Sequence, residues 1–318
     1  MTNTEARQPQ FAENVSLAQF SSYRIGGPAR RYCEAASVEE VRAAVAEARR
    51  QGWRLFVLGG GTNLLIDDHG FDGLVLRPNF RLLEASGARV RAGAGLLVSE
   101  LLDFLAPRGL AGLEWAGGLP GTVGGAVRGN AGAFGGEIKD VTTEVESLDT
   151  ATLELLVRPN ADCRFGYRSS LFKERPGEII LTARFALRAG EPAAIAQTIA
   201  EKQEYRWRRH PLEYPNIGSI FKNVDLKLVP EPVRELCAAV IKVDPFPVVP
   251  TAFLLAEAGL KGIRRGGAMI SPKHPNFIVN VDQASSADVR ALVEHAKERV
   301  WEKFRIRLEE EIQYVDGL

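Results

Sequence analysis

The chain has 318 residues, 45% of them hydrophobic, and its 40 lysines and arginines are matched by 40 aspartates and glutamates, for a formal net charge of +0. A length of this order exceeds what one hydrophobic core organises, so roughly two or three domains are expected, with room for a large pocket between them. The cancelled charge, with no long run of one sign, excludes a general attraction to nucleic acid or an anionic membrane, so any anionic ligand must be held by local groups.

The opening Met1-Thr2-Asn3-Thr4-Glu5-Ala6-Arg7 is polar, and no apolar stretch is long enough to span a bilayer, which sets the expectation of a cytoplasmic protein. Ser37-Val38-Glu39-Glu40 is a capping box that opens a helix to about Arg50, and an apolar strand at 55–58 runs into a first glycine cluster. Short strands follow at 73–76 and 88–92, then a helix at 98–105 that Pro107 and Gly109 stop. After a second glycine cluster, alternation through Val145, Leu148, Leu153 and Leu155, then Ile179, Leu181, Ala183 and Phe185, marks a strand-rich region. A long helix at 193–207 ends near His210-Pro211, where a domain boundary is placed. Pro232 with Val233, Leu236, Cys237, Val240 and Ile241 predicts a short amphipathic helix, and the prolines of 244–250 predict extended chain. A helix at 286–304 and a last strand at 306–315 close the sequence. Cys33, Cys163 and Cys237 are odd in number and far apart, and none stands at a ligand spacing from His69, His210, His274 or His295, so three reduced thiols and no metal are expected.

The two glycine clusters are Leu58-Gly59-Gly60-Gly61-Thr62-Asn63 and 117–125 running on to 129–136. Glycine is concentrated where a backbone turns at positive φ or approaches something too closely for a Cβ. One cluster alone reads as a tight turn without a ligand; two point to a phosphate-bearing cofactor. Gly93-Ala94-Gly95 has Val98, and Gly59-Gly60-Gly61 has Leu64, where a dinucleotide fingerprint needs its third glycine, and neither cluster leads into a P-loop lysine. Phosphate would therefore sit in backbone N–H nests aided by Thr62, Asn63, Thr122 and Asn130.

The chain also resembles the UDP-N-acetylenolpyruvoylglucosamine reductases (MurB). The resemblance lies in Tyr23-Arg24-Ile25-Gly26-Gly27-Pro28-Ala29, the first glycine cluster with Leu64-Leu65, Gly118-Leu119-Pro120-Gly121-Thr122-Val123-Gly124-Gly125, and Asn130-Ala131-Gly132-Ala133-Phe134-Gly135-Gly136-Glu137. The second half adds Phe165-Gly166-Tyr167-Arg168-Ser169-Ser170, Gly218-Ser219-Ile220-Phe221-Lys222-Asn223, Ala258-Gly259-Leu260-Lys261-Gly262, His274-Pro275-Asn276-Phe277-Ile278-Val279-Asn280, and Leu308-Glu309-Glu310-Glu311-Ile312. It implies an α+β protein with an FAD-binding PCMH/VAO-type fold of two subdomains, 1–84 and 85–209, and a C-terminal α+β substrate-binding domain, 210–318, carrying the catalytic strand. It implies a monomer that holds FAD noncovalently, takes hydride from NADPH, and reduces UDP-N-acetylglucosamine enolpyruvate for peptidoglycan precursor synthesis. The cofactor-binding positions it marks are Arg24, Gly59, Gly60, Gly61, Thr62, Asn63, Leu119, Pro120, Gly121, Thr122, Gly124, Gly125, Asn130, Gly132 and Gly136. Tyr167, Lys222 and Asn223 would touch the UDP-sugar.

Adding hydride to an enol ether leaves negative charge beside the substrate carboxylate, and a preorganised guanidinium is the strongest available answer. The resemblance gives this role to Arg168, which by itself reads as a strand-end arginine in a surface ion pair. Ser219 takes the place of the proton donor, though its hydroxyl is a weak acid and the position also reads as a turn or cap. The resemblance makes Glu311 the third catalytic position, with Glu309 on its face of the predicted strand and Glu310 on the other. Arg128, where an apolar residue such as methionine is expected, and Val224, in the usual place of a proline, depart from the pattern, and 224–250 is the stretch it explains least. Two alternatives stand beside this reading: an FAD-dependent oxidase of the same superfamily acting on a small alcohol or sugar, and a nucleotide-binding module without chemistry.

Overall fold

The computed structural model describes residues 9–243 and 246–316. The polar N-terminal segment and the Asp244-Pro245 part of the predicted extended stretch lie outside the described residues. Two compact units are formed, and neither is continuous in sequence. The first takes residues up to Val15, Ala29–Gly60 and Asp72–Arg206; the second takes Ser16–Pro28, Gly61–Phe71 and the chain from Trp207 onward.

In the first unit the helix Val38–Gln51 starts where the sequence places it. Ser37 accepts from the Glu40 N–H at 3.1 Å, and the Glu40 carboxylate reaches back to the Ala36 N–H at 2.7 Å. Gly52, at φ 66, ends the helix in the left-handed conformation that glycine adopts freely. Val41, Ala44, Val45 and Ala48 form its buried stripe and share a core with Leu74 and Leu76. The strand Arg54–Val57 pairs in parallel with Phe71–Pro78 in a four-stranded sheet. A second, antiparallel sheet has the order Leu155–Pro159, Thr142–Asp149, Glu178–Ala186, Arg89–Gly93, Leu83–Ser86. The helix Val98–Leu105 buries Val98, Leu101, Leu102 and Leu105, each worth at most about 1.5 to 3 kcal/mol.

In the second unit the helix Ser286–Phe304 carries a capping box between Ser285 and Asp288 and packs over the three-stranded sheet Arg264–Arg265, Ala268–Ile270, Ile278–Asn280. Tyr23 is fully buried in this core and donates to the Ile278 carbonyl at 2.8 Å, and burial pushes its phenol pKa up. The predicted strand 306–315 is shorter than expected. Only Gln313–Val315 is strand, parallel to Leu64–Ile66, and a single bridge joins Phe221 to Glu310. Of 306–312, only 309–311 pairs with the Ile220–Lys222 segment, itself too short to form a regular strand. The helix predicted around Pro232 runs Glu231–Cys237, with Pro232 in its first turn, and tightens to a 3-10 turn at Ala238–Val240. Val248–Val249 then pairs with Val224–Asp225. All three cysteines are free thiols and buried. Among the described residues, no helix is long and apolar enough to cross a membrane. Helices and mostly antiparallel sheets make the chain α+β.

Candidate active site

The glycines of the first unit are explained first by one another. A Cβ on Gly60 would lie 2.7 Å from the Gly121 Cα, and one on Gly59 would lie 3.2 Å from the Thr122 hydroxyl, so the two clusters pack backbone against backbone. Gly124 is pressed on Ala94, and Gly136 lies flat on the Trp115 indole, where a Cβ would come within 2.3 Å of a ring atom. Gly118 and Gly121 turn at φ 71 and 103, with Leu119 and Pro120 between them. Thr122 caps the turn Val123–Arg128 by accepting from the Gly125 N–H at 3.3 Å. Among the described residues, the N–H groups of Gly59, Gly60, Gly121 and Thr122 donate to no protein acceptor. Four free amides on two touching backbones are a donor set of the kind that phosphate oxygens accept from. This chemistry fits the diphosphate of FAD.

Arg168 is held by a buried asparagine. Gly166 and Ser169 exchange backbone hydrogen bonds of 3.0 and 3.2 Å, which leaves Tyr167 and Arg168 at the tip of a two-residue turn. Arg168 has φ 53, a conformation that costs a branched-chain or long side chain roughly 1 kcal/mol and is kept where surroundings enforce it. Asn130, with no exposed surface, donates to the Gly166 carbonyl at 2.8 Å and to Glu137 at 3.3 Å, and accepts from the Lys139 N–H at 3.2 Å. Ser170 anchors the far side of the turn on the Arg128 carbonyl at 2.6 Å. The guanidinium donates to the Gly132 carbonyl at 2.7 Å, and a Cβ on Gly132 would crowd it at 3.2 Å.

Arg206, which the sequence reading missed, belongs to the same electrostatic environment. It lies on the helix Pro192–Arg209, donates from Nε to the Gly117 carbonyl at 2.9 Å, and has a buried Nη2 without a hydrogen-bond partner among the described residues. Burial, and then the charge of Arg168, push its pKa down to about 10. Burial also pushes that of Arg128 down. Its one sequence signal was the i, i+4 spacing from Lys202; both cations stand over the Phe134 ring, at 4.9 and 5.4 Å.

In the second unit Ser219 and Glu311 are brought together. The Glu311 N–H donates to the Ile220 carbonyl at 2.8 Å and the Lys222 N–H to the Glu309 carbonyl at 2.9 Å, which sets Ser219 one residue from the partner of Glu311. The Ser219 hydroxyl makes no hydrogen bond among the described residues. Asn63 donates to the Glu311 carbonyl at 3.0 Å and its own carbonyl accepts from Gln313, so the end of the first glycine cluster is tied to the Glu311 segment. Gly61, at φ 64, presses on the Phe20 carbonyl, and Thr62 follows it. Lys222 is ion-paired with the exposed Glu309, whereas Glu310 is largely buried and paired with Lys297. Glu309 and Glu310, just before Glu311, thus pair with different lysines. Asn223 accepts from the Thr251 N–H at 3.2 Å, and Arg24, at φ 55, is exposed.

Similarity to known proteins agrees with the cradle. Residues 29–154 match the family model described as FAD binding domain, and the class so defined is the FAD-dependent oxidoreductases. Residues 210–315 match the model for the UDP-N-acetylenolpyruvoylglucosamine reductase C-terminal domain. A UDP-N-acetylenolpyruvoylglucosamine reductase of Solibacter usitatus (strain Ellin6076) is 38% identical over 309 residues, covering 96% of this chain and 98% of its own. One from Syntrophus aciditrophicus (strain SB) is 40% identical over 305 residues, covering 94% and 90%. The crystal structure of the enzyme (MurB) from Thermus caldophilus superposes with a TM-score of 0.76 at 32% identity, covering 97% of this chain and all of that one. The chain belongs to the UDP-N-acetylenolpyruvoylglucosamine reductase family.

Proposed function

We propose that this chain reduces UDP-N-acetylglucosamine enolpyruvate to UDP-N-acetylmuramate, with FAD bound noncovalently and NADPH as the donor. The observation that carries the reading is the pairing in the second unit that sets Ser219 beside Glu311. The strained, asparagine-held Arg168 of the first unit supports it. The amides of Gly59, Gly60, Gly121 and Thr122 would hold the FAD diphosphate, with Arg24, Gly61, Thr62, Asn63, Leu119, Pro120, Gly124, Gly125, Asn130, Gly132 and Gly136 shaping the remainder of its site. When bound, the flavin supplies the hydride.

The terminal carbon of the enol ether receives the electron pair with the hydride, and charge moves to the adjacent carbon and its carboxylate. Arg168 holds that carboxylate, Ser219 delivers the proton to the adjacent carbon, and Glu311 supports the transient charge as a carboxyl group. Tyr167, Lys222 and Asn223 hold the UDP-sugar; an anionic substrate would draw Lys222 from Glu309, whose exposure makes that ion pair weak. Residues 1–84 and 85–209 serve as the flavin-binding subdomains and 210–318 as the substrate domain, in a cytoplasmic monomer.

The two half-reactions test this. NADPH should bleach the bound flavin, and the enolpyruvyl substrate should restore its colour without oxygen. Ser219→Ala should leave bleaching intact and slow restoration by about 10² to 10⁴-fold, the range of a lost general acid. Equal slowing of both halves would remove Ser219 from proton transfer.

A further inference from the structure

We propose that Asn276 is a positioning residue for the proton donor: its side-chain carboxamide takes the place of a neighbouring strand and fixes the Ser219 segment in register with Glu311. The inference rests on the reading of Ser219 and Glu311 given above.

The segment that carries Ser219 has few means of holding itself. Gly218 turns at φ 83, and its N–H is taken by the Asn216 side chain at 3.0 Å, so regular pairing begins only after Ser219. On one flank, 309–311 supplies the two backbone bonds at Ile220 and Lys222 around the Phe221–Glu310 bridge. One bridge is far below what makes a strand pair stable. A slip of one residue would send every side chain to the opposite face.

Among the described residues no strand pairs with the other flank, and Asn276 supplies what one would have given. Its main-chain carbonyl accepts from the Ile220 N–H at 2.8 Å. Its Oδ1 accepts from the Phe221 N–H at 3.0 Å, and its Nδ2 donates to the Phe221 carbonyl at 2.8 Å. A carboxamide has the donor and acceptor of a peptide group, so it closes both polar groups of Phe221 as a ladder partner does. Asn276 is 3% exposed and Phe221 2%, so water does not readily replace these bonds. The loop behind Asn276 is itself fixed: the Ser271 N–H donates to the Phe277 carbonyl, the Ser271 hydroxyl accepts from the Lys273 and His274 N–H groups, and the Phe277 N–H donates to the His274 carbonyl. Three bonds from one rigid residue thus lock the two positions that follow Ser219.

A general acid contributes only when its proton is aimed, and a misplacement of about 1 Å costs on the order of 10²-fold. The test uses the full-length flavin-loaded protein with Asn276→Ala, Ser219→Ala and the double variant, with the two half-reactions followed separately by rapid mixing. For Asn276→Ala we expect unchanged flavin content, bleaching by NADPH within about twofold, and restoration by substrate slowed about 10- to 10²-fold. In the Ser219→Ala background the same change should slow restoration by less than about threefold, because residues acting through one another are not additive. Hydrogen exchange at the Ile220 and Phe221 amides should quicken about tenfold or more in Asn276→Ala, as loss of a buried partner predicts. Single effects that multiply in the double variant, equal slowing of both half-reactions, or unchanged exchange would each overturn the proposal. If Asn276→Ala does not fold, Asn276→Asp decides: it keeps the acceptor for the Phe221 N–H and loses the donor to its carbonyl, and undiminished restoration would defeat the inference. A Ser219→Ala variant that restores at full rate defeats the proton-donor reading and this inference with it. A slow Ser219→Ala combined with multiplicative effects defeats this inference alone.

Discussion

Replacing Asn130 removes the side chain that holds the Arg168 turn, and the cost can be worked bond by bond. In Asn130→Ala the Gly166 carbonyl still accepts from Ser169 at 3.2 Å, so the loss there is about 1 kcal/mol. The Lys139 N–H loses an acceptor at a partly buried position, for about 1 to 3 kcal/mol. Asn130 stands at φ 41, where asparagine is tolerated better than alanine, which adds up to roughly 1 kcal/mol. The sum is roughly 2 to 5 kcal/mol, a large share of the roughly 5 to 15 kcal/mol that a domain has. Urea unfolding should show a lower midpoint with an unchanged slope. Asn130→Asp sharpens the test, since it keeps the acceptor but turns a carboxylate toward Glu137, whose oxygen lies 3.3 Å from the replaced nitrogen. Burial and the neighbouring charge raise the folded-state pKa of the new carboxyl above its unfolded value. The folded state then binds more protons, so Asn130→Asp should be less stable than Asn130→Ala at pH 7 and should recover as the pH falls. Both variants unfolding within about 0.5 kcal/mol of the unsubstituted chain, or an Asn130→Asp insensitive to pH, would refute the assigned network.

Gly60→Ala should loosen flavin binding and cost about 1 to 3 kcal/mol, because the new methyl meets the Gly121 backbone, which cannot move aside as a side chain would; full flavin retention after dialysis would contradict it. Arg168→Lys should fold normally but lose about 10²-fold or more in turnover, since an ammonium cannot reproduce a guanidinium fork on a carboxylate; near-normal turnover removes Arg168 from the site. Burial pushes the His274 pKa down to about 4, and its Nδ1 is buried without a partner among the described residues. Between pH 6.5 and 4 the unfolded chain takes up a proton that the folded chain refuses, so this histidine lowers stability as pH falls through that window, by at most about 3 kcal/mol. Thermal melts of His274→Leu should therefore be flatter across that window than those of the unsubstituted chain; parallel curves would show that His274 does not stay neutral.

The sequence by itself determined the local elements and named the candidates for the site. Ser37 and Glu40 fix one helix start and Ser285 and Asp288 another, because caps act within one turn of chain. The helix Val98–Leu105 lies where its periodicity and Pro107 place it. The two glycine clusters, with the family resemblance of the motifs after them, proposed Gly60, Gly121, Arg168, Ser219 and Glu311 as candidates. Tertiary structure decided why several of these residues are what they are. Gly60 is glycine because Gly121, distant in sequence, lies against it, and Asn130 is asparagine because a turn at Gly166 needs its donor. The strand expected over 306–315 contracts to Gln313–Val315, since strand length is set by the partner available rather than by alternation alone. Val229 and Cys237, in the stretch the motifs left unexplained, are buried in the core of the second unit. The motif that contains Asn276 and the i, i+4 spacing of Arg206 from Lys202 do not say which backbone groups these residues meet. Their roles arise from burial beside particular backbone groups, and burial between distant segments is a property that only the folded chain possesses.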